Sequence, residues 1–100
     1  MNRYTYRAYY DGTPTASDPF RSMKDEDEVN ELLRLLPERL EEHFGPNAIV
    51  DAGEIQMHHV RGYSRLTRCV MITTAADEEA AKHQIELAFE DLSLFGEQVR

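Results

Sequence analysis

Residues 48–74, AIVDAGEIQMHHVRGYSRLTRCVMITT, contain two alternating runs of apolar and polar residues joined by the turn RGY at 61–63. Alternation with a period of two is typical of strands, and a short glycine-containing connection predicts a β-hairpin over 48–60 and 64–74. The apolar positions are even-numbered before Gly53 and odd-numbered after it. Because an inserted residue exchanges the two faces of a strand, this switch predicts a bulge at Gly53.

Two segments with helical periodicity flank this hairpin. Across 25–44, apolar residues recur every three or four positions, and Gly45 and Pro46 end the pattern. Pro37 lies inside this segment. Because proline lacks an N–H and clashes with the preceding turn, we expect a kink or a break near it. The segment 75–92 also has an apolar stripe, and its first turn holds acidic residues, which the helix dipole favours there.

The remaining segments complete a sheet. Residues 3–10, RYTYRAYY, alternate and predict a first strand, and residues 93–100 offer a short last strand at a sheet edge. Residues 11–22 are rich in Gly, Pro, Asp, Ser and Thr, which predicts a long, mobile loop. The order β-α-β-β-α with a final β predicts a ferredoxin-like α+β sandwich, an antiparallel sheet with both helices on one face. We expect the 100 residues to form a single domain.

Charge and cysteine content narrow the class of protein. The chain has 19 acidic and 11 basic residues and a net charge of −8, which argues against a nucleic-acid platform over the whole surface. The acids concentrate in the predicted helices, whereas the segment 56–70 holds three arginines and no acid. No apolar run approaches the roughly 20 residues of a membrane span. We therefore expect no contact with a membrane. Cys69, the single cysteine, cannot form an intrachain disulfide, which fits a reducing compartment and so a cytoplasmic location.

No pattern of catalytic or metal-ligating residues stands out. His58 and His59 are neighbours on a predicted strand, so their side chains should point to opposite faces and should not bind one metal ion together. The acidic pairs lie on predicted helices, where a solvated surface is the ordinary explanation. We therefore predict no metal, no cofactor and no catalytic residue, which favours a function other than catalysis.

Arginine and tyrosine on the helix-free side of the sheet are the strongest functional signal. The predicted binding residues are Arg3, Arg7, Tyr9, His58, Arg61, Tyr63, Arg65 and Arg68. Arginine and aromatic residues are enriched in the cores of protein interfaces, and they also stack on nucleic-acid bases. The aromatic motif of sheet-based RNA-binding modules is absent from the sequence, which favours the protein interface.

These observations lead to one hypothesis and two alternatives. The leading hypothesis is a small acidic, non-enzymatic binding protein that acts by protein–protein interaction, as a regulator, inhibitor or assembly factor. Its partner is another protein or a second copy, in a homodimer formed through the sheet face. One alternative is a nucleic-acid-binding module that uses the basic sheet face and the hairpin segment 56–70. The other is a ferredoxin-like dimer that binds or converts a small ligand.

Overall fold

Six helices and strands make up the described part of the chain. The computed structural model describes residues 1–10, 26–60 and 63–99, and at positions 60, 63 and 64 it describes the backbone only. The elements are β1 (Asn2–Tyr9), α1 (Glu26–Phe44), β2 (Ile49–Val60), β3 (Tyr63–Thr74), α2 (Glu78–Asp91) and β4 (Phe95–Gln98). The loop predicted at 11–22 lies outside the described residues.

The four strands form one antiparallel sheet in the order β2-β3-β1-β4. The hairpin strands β2 and β3 pair with each other, and β1 pairs with β3 on one side and with β4 on the other. The two helices contact each other and share one core with the sheet. This is the predicted ferredoxin-like arrangement, so the predicted fold class is confirmed.

The core identifies which side of the sheet the helices cover. Tyr6 and Ala8 of β1 and Val70 and Ile72 of β3 are almost fully buried. They are alternate residues of two neighbouring strands, so their side chains share one side of the sheet. The helices cover this side with Leu33, Leu36, Leu40, Ile85, Ala88 and Phe89. The other side of the sheet carries neither helix.

The bulge predicted at Gly53 is present in β2. Ala52 lies opposite Val70 and Ile55 lies opposite Arg68, so β2 has one residue more than β3 between these pairs. As a result Ile55 packs against the core from the same side as Ala52, although the two residue numbers differ by three.

Helix α1 continues through Pro37, so of the expected kink or break the break does not occur. In a regular helix the carbonyl of Leu33 accepts a hydrogen bond from the N–H of residue 37, which proline lacks. Here the Arg68 guanidinium of β3 donates to that carbonyl at 3.0 Å. The helix ends where the sequence predicts. Gly45 adopts φ 74° and its N–H donates to the carbonyl of Glu41.

Candidate functional site

The candidate site is the helix-free side of the sheet, which we call the open face. The pairing registers place two runs of alternate residues in its centre, and shorter runs on the edge strands complete it. The open face comprises Arg3, Thr5, Arg7 and Tyr9 of β1, Arg65, Thr67, Cys69, Met71 and Thr73 of β3, Ile49, Asp51, Gln56 and His58 of β2, and Phe95 and Glu97 of β4, with Val99 after it.

A stack of three flat side chains crosses the open face at one end. The Arg65 guanidinium carbon lies 4.1 Å from the centre of the Tyr9 ring. The Tyr9 and Phe95 rings are stacked, with centres 6.1 Å apart and planes 23° apart. A cation over an aromatic ring is stabilised by about 0.5–1 kcal/mol at exposed sites. The stack links β3, β1 and β4, and Phe95 remains 41% exposed, so the Tyr9 and Phe95 rings form an aromatic platform that is partly exposed at the surface.

The charges of the open face are close together but unpaired. Arg7 and Glu97 lie directly opposite each other on β1 and β4. Among the described residues neither forms an ion pair. Arg3 donates to the sulfur of Met71 rather than to a carboxylate. The Arg65 Nε is buried and has no hydrogen-bond partner within the described ranges. In a chain with 19 acids and 11 bases, unpaired arginines on one face indicate a surface suited to an acidic contact.

Exposed apolar side chains lie along the two edges of the open face. Phe95 and Val99 flank Glu97 at the β4 edge and are 41% and 39% exposed, and Ile49 at the β2 edge is 57% exposed. These three residues were not among the predicted binding residues. The alternation of Phe95, Glu97 and Val99 along the last strand is the signal that would have placed them on this face.

Arg68 does not lie on the open face, so its expected place on the helix-free side of the sheet is wrong. It is opposite Ala8 on β1, on the helix side of the sheet. Its guanidinium donates to the carbonyls of Leu33 in α1 and Gly53 in the bulge, at 3.0 and 2.8 Å. Partial removal from water lowers the pKa of this group from its ordinary value. Arg68 therefore joins the helix to the sheet.

The other predicted binding residues divide into two groups. The pairing places Arg3, Arg7, Tyr9 and Arg65 on the open face, and His58 joins them at the β2 edge opposite Arg65. Arg61 lies outside the described residues, and Tyr63 is described by its backbone alone. That these residues bind a partner stays a prediction.

Three further features of the described residues concern metal ligands, membrane spans and the contact between the two helices. Within the described ranges no three His, Cys, Asp or Glu side chains are placed to hold a metal ion together. Neither helix, α1 nor α2, combines the length and apolar character needed to cross a membrane. His43 at the end of α1 lies 2.7 Å from an oxygen of Asp91 at the end of α2, which fastens the two helices together at one end.

Comparison with known proteins places this fold within larger enzymes. No protein-family model and no curated protein matches the sequence. A hydantoinase/carbamoylase family amidase from Burkholderia ambifaria is similar in structure, with a TM-score of 0.56 and 14% identity over 98% of this chain. An amidase of the same family from Burkholderia multivorans has a TM-score of 0.50 and 15% identity over 98% of this chain. This chain spans 27% of the length of each of these solved chains.

These likenesses correct the leading hypothesis. At 14–15% identity they establish the fold alone. The fold that covers nearly all of this chain nevertheless occurs as one part of two amidases, so the hypothesis of a small acidic, non-enzymatic binding protein that acts as a regulator, inhibitor or assembly factor is wrong. The alternative of a nucleic-acid-binding module is weakened, because Arg68 faces the helices and does not add to the basic sheet face. Charge and exposed aromatic residues led to the wrong hypothesis, because both occur on non-enzymatic proteins and on enzymes alike.

Proposed function

We propose that this chain serves as the ferredoxin-like domain of an amide-hydrolysing enzyme of the hydantoinase/carbamoylase kind. Its open face is then the surface that contacts another polypeptide of that enzyme. The observation that carries the proposal is a helix-free sheet face with an aromatic platform, in a fold that occurs within the two amidases. A sheet face of this composition exposes apolar area that is typical of an interface.

The open face is favoured over the sheet edges as the contact surface. Strand β4 is only four residues long, and the bulge after Ala52 interrupts β2. Short strands and bulges are the usual means by which proteins prevent pairing at a sheet edge. The outer sides of α1 and α2 carry mainly exposed acids, and net charge of one sign opposes association with similarly charged surfaces. Compared with the outer sides of α1 and α2, the open face combines exposed apolar side chains with both signs of charge.

The proposed role is contact rather than amide cleavage. The two amidase chains are about four times as long as this chain, as its 27% share implies, so this domain corresponds to a minor part of each. We assign the hydrolytic residues to the remainder of the enzyme. A cytoplasmic location belongs to the same proposal, since the single cysteine is a free thiol in the sheet.

The test is to isolate the tagged chain from its native host and to measure two reactions: ammonia release from N-carbamoyl amino acids, and the ring opening of hydantoins to N-carbamoyl amino acids, which releases no ammonia. We expect hydrolysis by the wild-type preparation and none by a tag-only preparation. A Phe95→Asp preparation should release less ammonia per mole of chain, because the charge disrupts the aromatic platform. The helix-surface variant Lys82→Glu is the matched control and should behave as wild type.

Absence of hydrolysis from the wild-type preparation contradicts the enzymatic role. Equal hydrolysis by wild type and Phe95→Asp contradicts the role of the open face in the enzyme.

A further inference from the structure

We infer that Arg65 is the ionic anchor of the open face and binds an aspartate or glutamate side chain of a different polypeptide that packs there. The inference rests on the proposed function, which assigns a contact to this face, and it names the chemistry of the partner at one position. It starts from an arginine that has an aromatic contact but no ionic one. The Arg65 guanidinium carbon lies 4.1 Å from the centre of the Tyr9 ring, and within the described ranges Arg65 forms no ion pair.

The contact with Tyr9 holds the guanidinium in place and leaves donors for another group. A guanidinium carries five N–H donors in its own plane, and they match the two oxygens of a carboxylate. The contact with the ring uses the flat side of the guanidinium. The Nε of Arg65 is buried and has no hydrogen-bond partner among the described residues. Because the side chain is already ordered, little conformational entropy is lost when a carboxylate binds it.

The acids of the described open face lie too far from Arg65 to pair with it. Asp51 is opposite Met71, six positions along β3 from Arg65. Residues of a strand rise about 3.3 Å each, so these positions are roughly 20 Å apart. Glu97 lies on β4, and β1 separates that strand from β3. His58, directly opposite Arg65 on β2, adds no negative charge. We therefore assign the carboxylate to the other polypeptide.

Covering the aromatic platform makes an acid opposite Arg65 necessary. Tyr9 contacts the Arg65 guanidinium on one side and the Phe95 ring on the other. A polypeptide that packs on Phe95 therefore also removes water from the guanidinium. A charge that loses water is costly unless an opposite charge or hydrogen bonds replace it. The contact is favourable when the partner places a carboxylate against Arg65.

The length of the exposed apolar surface indicates a polypeptide rather than a small carboxylate. Neighbouring strands lie about 4.8 Å apart, so Arg65 and Phe95, two strands apart, are separated by about 10 Å. Val99 follows Phe95 by four positions, roughly 13 Å along an extended chain, and both side chains are about two fifths exposed. A single amino acid does not cover this distance. A segment that carries an acid near apolar residues does.

Carbodiimide cross-linking in the preparation from the native host tests the inference. Arg65→Lys keeps the positive charge and supplies an amine, which carbodiimide joins to a carboxylate in contact with it. We expect mass spectrometry to find a link from position 65 to an aspartate or glutamate of a different polypeptide. Arg39→Lys is the matched control. Arg39 lies 3.1 Å from Glu42 of its own chain, so its link should be to Glu42.

The amount of that polypeptide recovered with the chain measures the strength of the contact. Arg65→Gln removes the charge and should lower the amount recovered per mole of chain by about tenfold or more, because hydrogen bonds to charged groups are stronger than neutral ones. Added salt should lower the recovery with wild type, because salt screens charges. Arg39→Gln should behave as wild type does. Circular dichroism establishes that each variant is folded, and if Arg65→Lys fails to fold, the recovery with Arg65→Gln decides.

Three results would overturn the inference. The first is a position-65 link that is absent or that joins only acids of this same chain. The second is recovery that Arg65→Gln leaves unchanged. The third is loss of the link when an N-carbamoyl amino acid is added, which would assign Arg65 to a small carboxylate. The hydrolysis assay is separate: a link without hydrolysis supports this inference and contradicts the enzymatic role, and hydrolysis without a link does the reverse.

Discussion

The contact between Arg68 and helix α1 makes a quantitative prediction about Pro37. The carbonyl of Leu33 loses its helical donor because residue 37 is proline, and Arg68 donates to it instead at 3.0 Å. The Arg68→Met variant keeps most of the apolar stem but leaves this carbonyl without a donor. An unsatisfied buried carbonyl costs about 1–3 kcal/mol. The second acceptor of Arg68, Gly53, lies at the exposed surface, where water replaces the lost bond at little cost.

The Pro37→Ala variant restores the missing helical N–H. An alanine in a helix interior is favoured over proline by up to about 3 kcal/mol, so Pro37→Ala should stabilise the protein. More importantly, Arg68→Met should cost less in the Pro37→Ala background than in the wild type. We expect the two substitutions to be coupled by about 1 kcal/mol, within the range found for residues that share a hydrogen-bond network.

Urea unfolding of the four proteins, followed by circular dichroism, measures this coupling through the free energy of unfolding. The control is Arg39→Met, which removes an exposed arginine of α1 whose ion pair is with Glu42. Its cost should be small and the same with proline or alanine at position 37. Additive effects of Arg68→Met and Pro37→Ala would refute the reasoning, because Arg68 would then not compensate for the proline.

Three further predictions concern single residues, each measured by the free energy of unfolding. A Cβ at Gly96 would overlap the buried ring of Phe89, so Gly96→Ala should destabilise the protein by about 1–3 kcal/mol. Unchanged stability would contradict the close packing of Gly96 against Phe89. Ser93, which follows α2, has φ 56°, a left-handed conformation that costs roughly 1–2 kcal/mol for residues other than glycine. Ser93→Gly should therefore stabilise the protein by less than this amount, because glycine also increases the entropy of the unfolded chain. The Asp77 side chain caps α2 by accepting from Ala80 N–H at 2.8 Å, so Asp77→Ala should cost about 1 kcal/mol, whereas Asp77→Ser should cost little.

Much of the fold could be predicted because its elements have strong local signals. The alternation in 3–10 and 48–74 and the apolar stripes of both helices placed the strands and helices to within a few residues. The parity change around Gly53 located the bulge correctly, since an inserted residue leaves a visible trace in the pattern. These features follow from neighbours along the chain.

The errors arose where contacts distant in sequence decide the outcome. Pro37 does not break α1, because a donor 31 positions later in the sequence completes the helix. Arg68 was assigned to the same face as Arg65, although residues three apart on a regular strand face opposite sides. Pro37 lacks the N–H that would donate to the carbonyl of Leu33, and this was the signal in the sequence that another donor, here Arg68, would lie on the helix side of the sheet. The likeness in fold to two amidases could not be predicted, because at 14–15% identity it has no sequence motif behind it.

The alkylation rate of Cys69 is the most direct test of the claim that the open face is a contact surface. Cys69 is the single cysteine of the chain, it is half-buried, and it lies opposite Arg7 on the open face. Iodoacetamide labelling followed by mass spectrometry therefore reports on this face alone. We expect Cys69 to be labelled more slowly in the preparation isolated from the native host than in the same chain purified alone, whereas Phe95→Asp should be labelled equally fast in both. Equal labelling of the wild type in the two preparations, or equal protection in Phe95→Asp, would contradict the proposed contact.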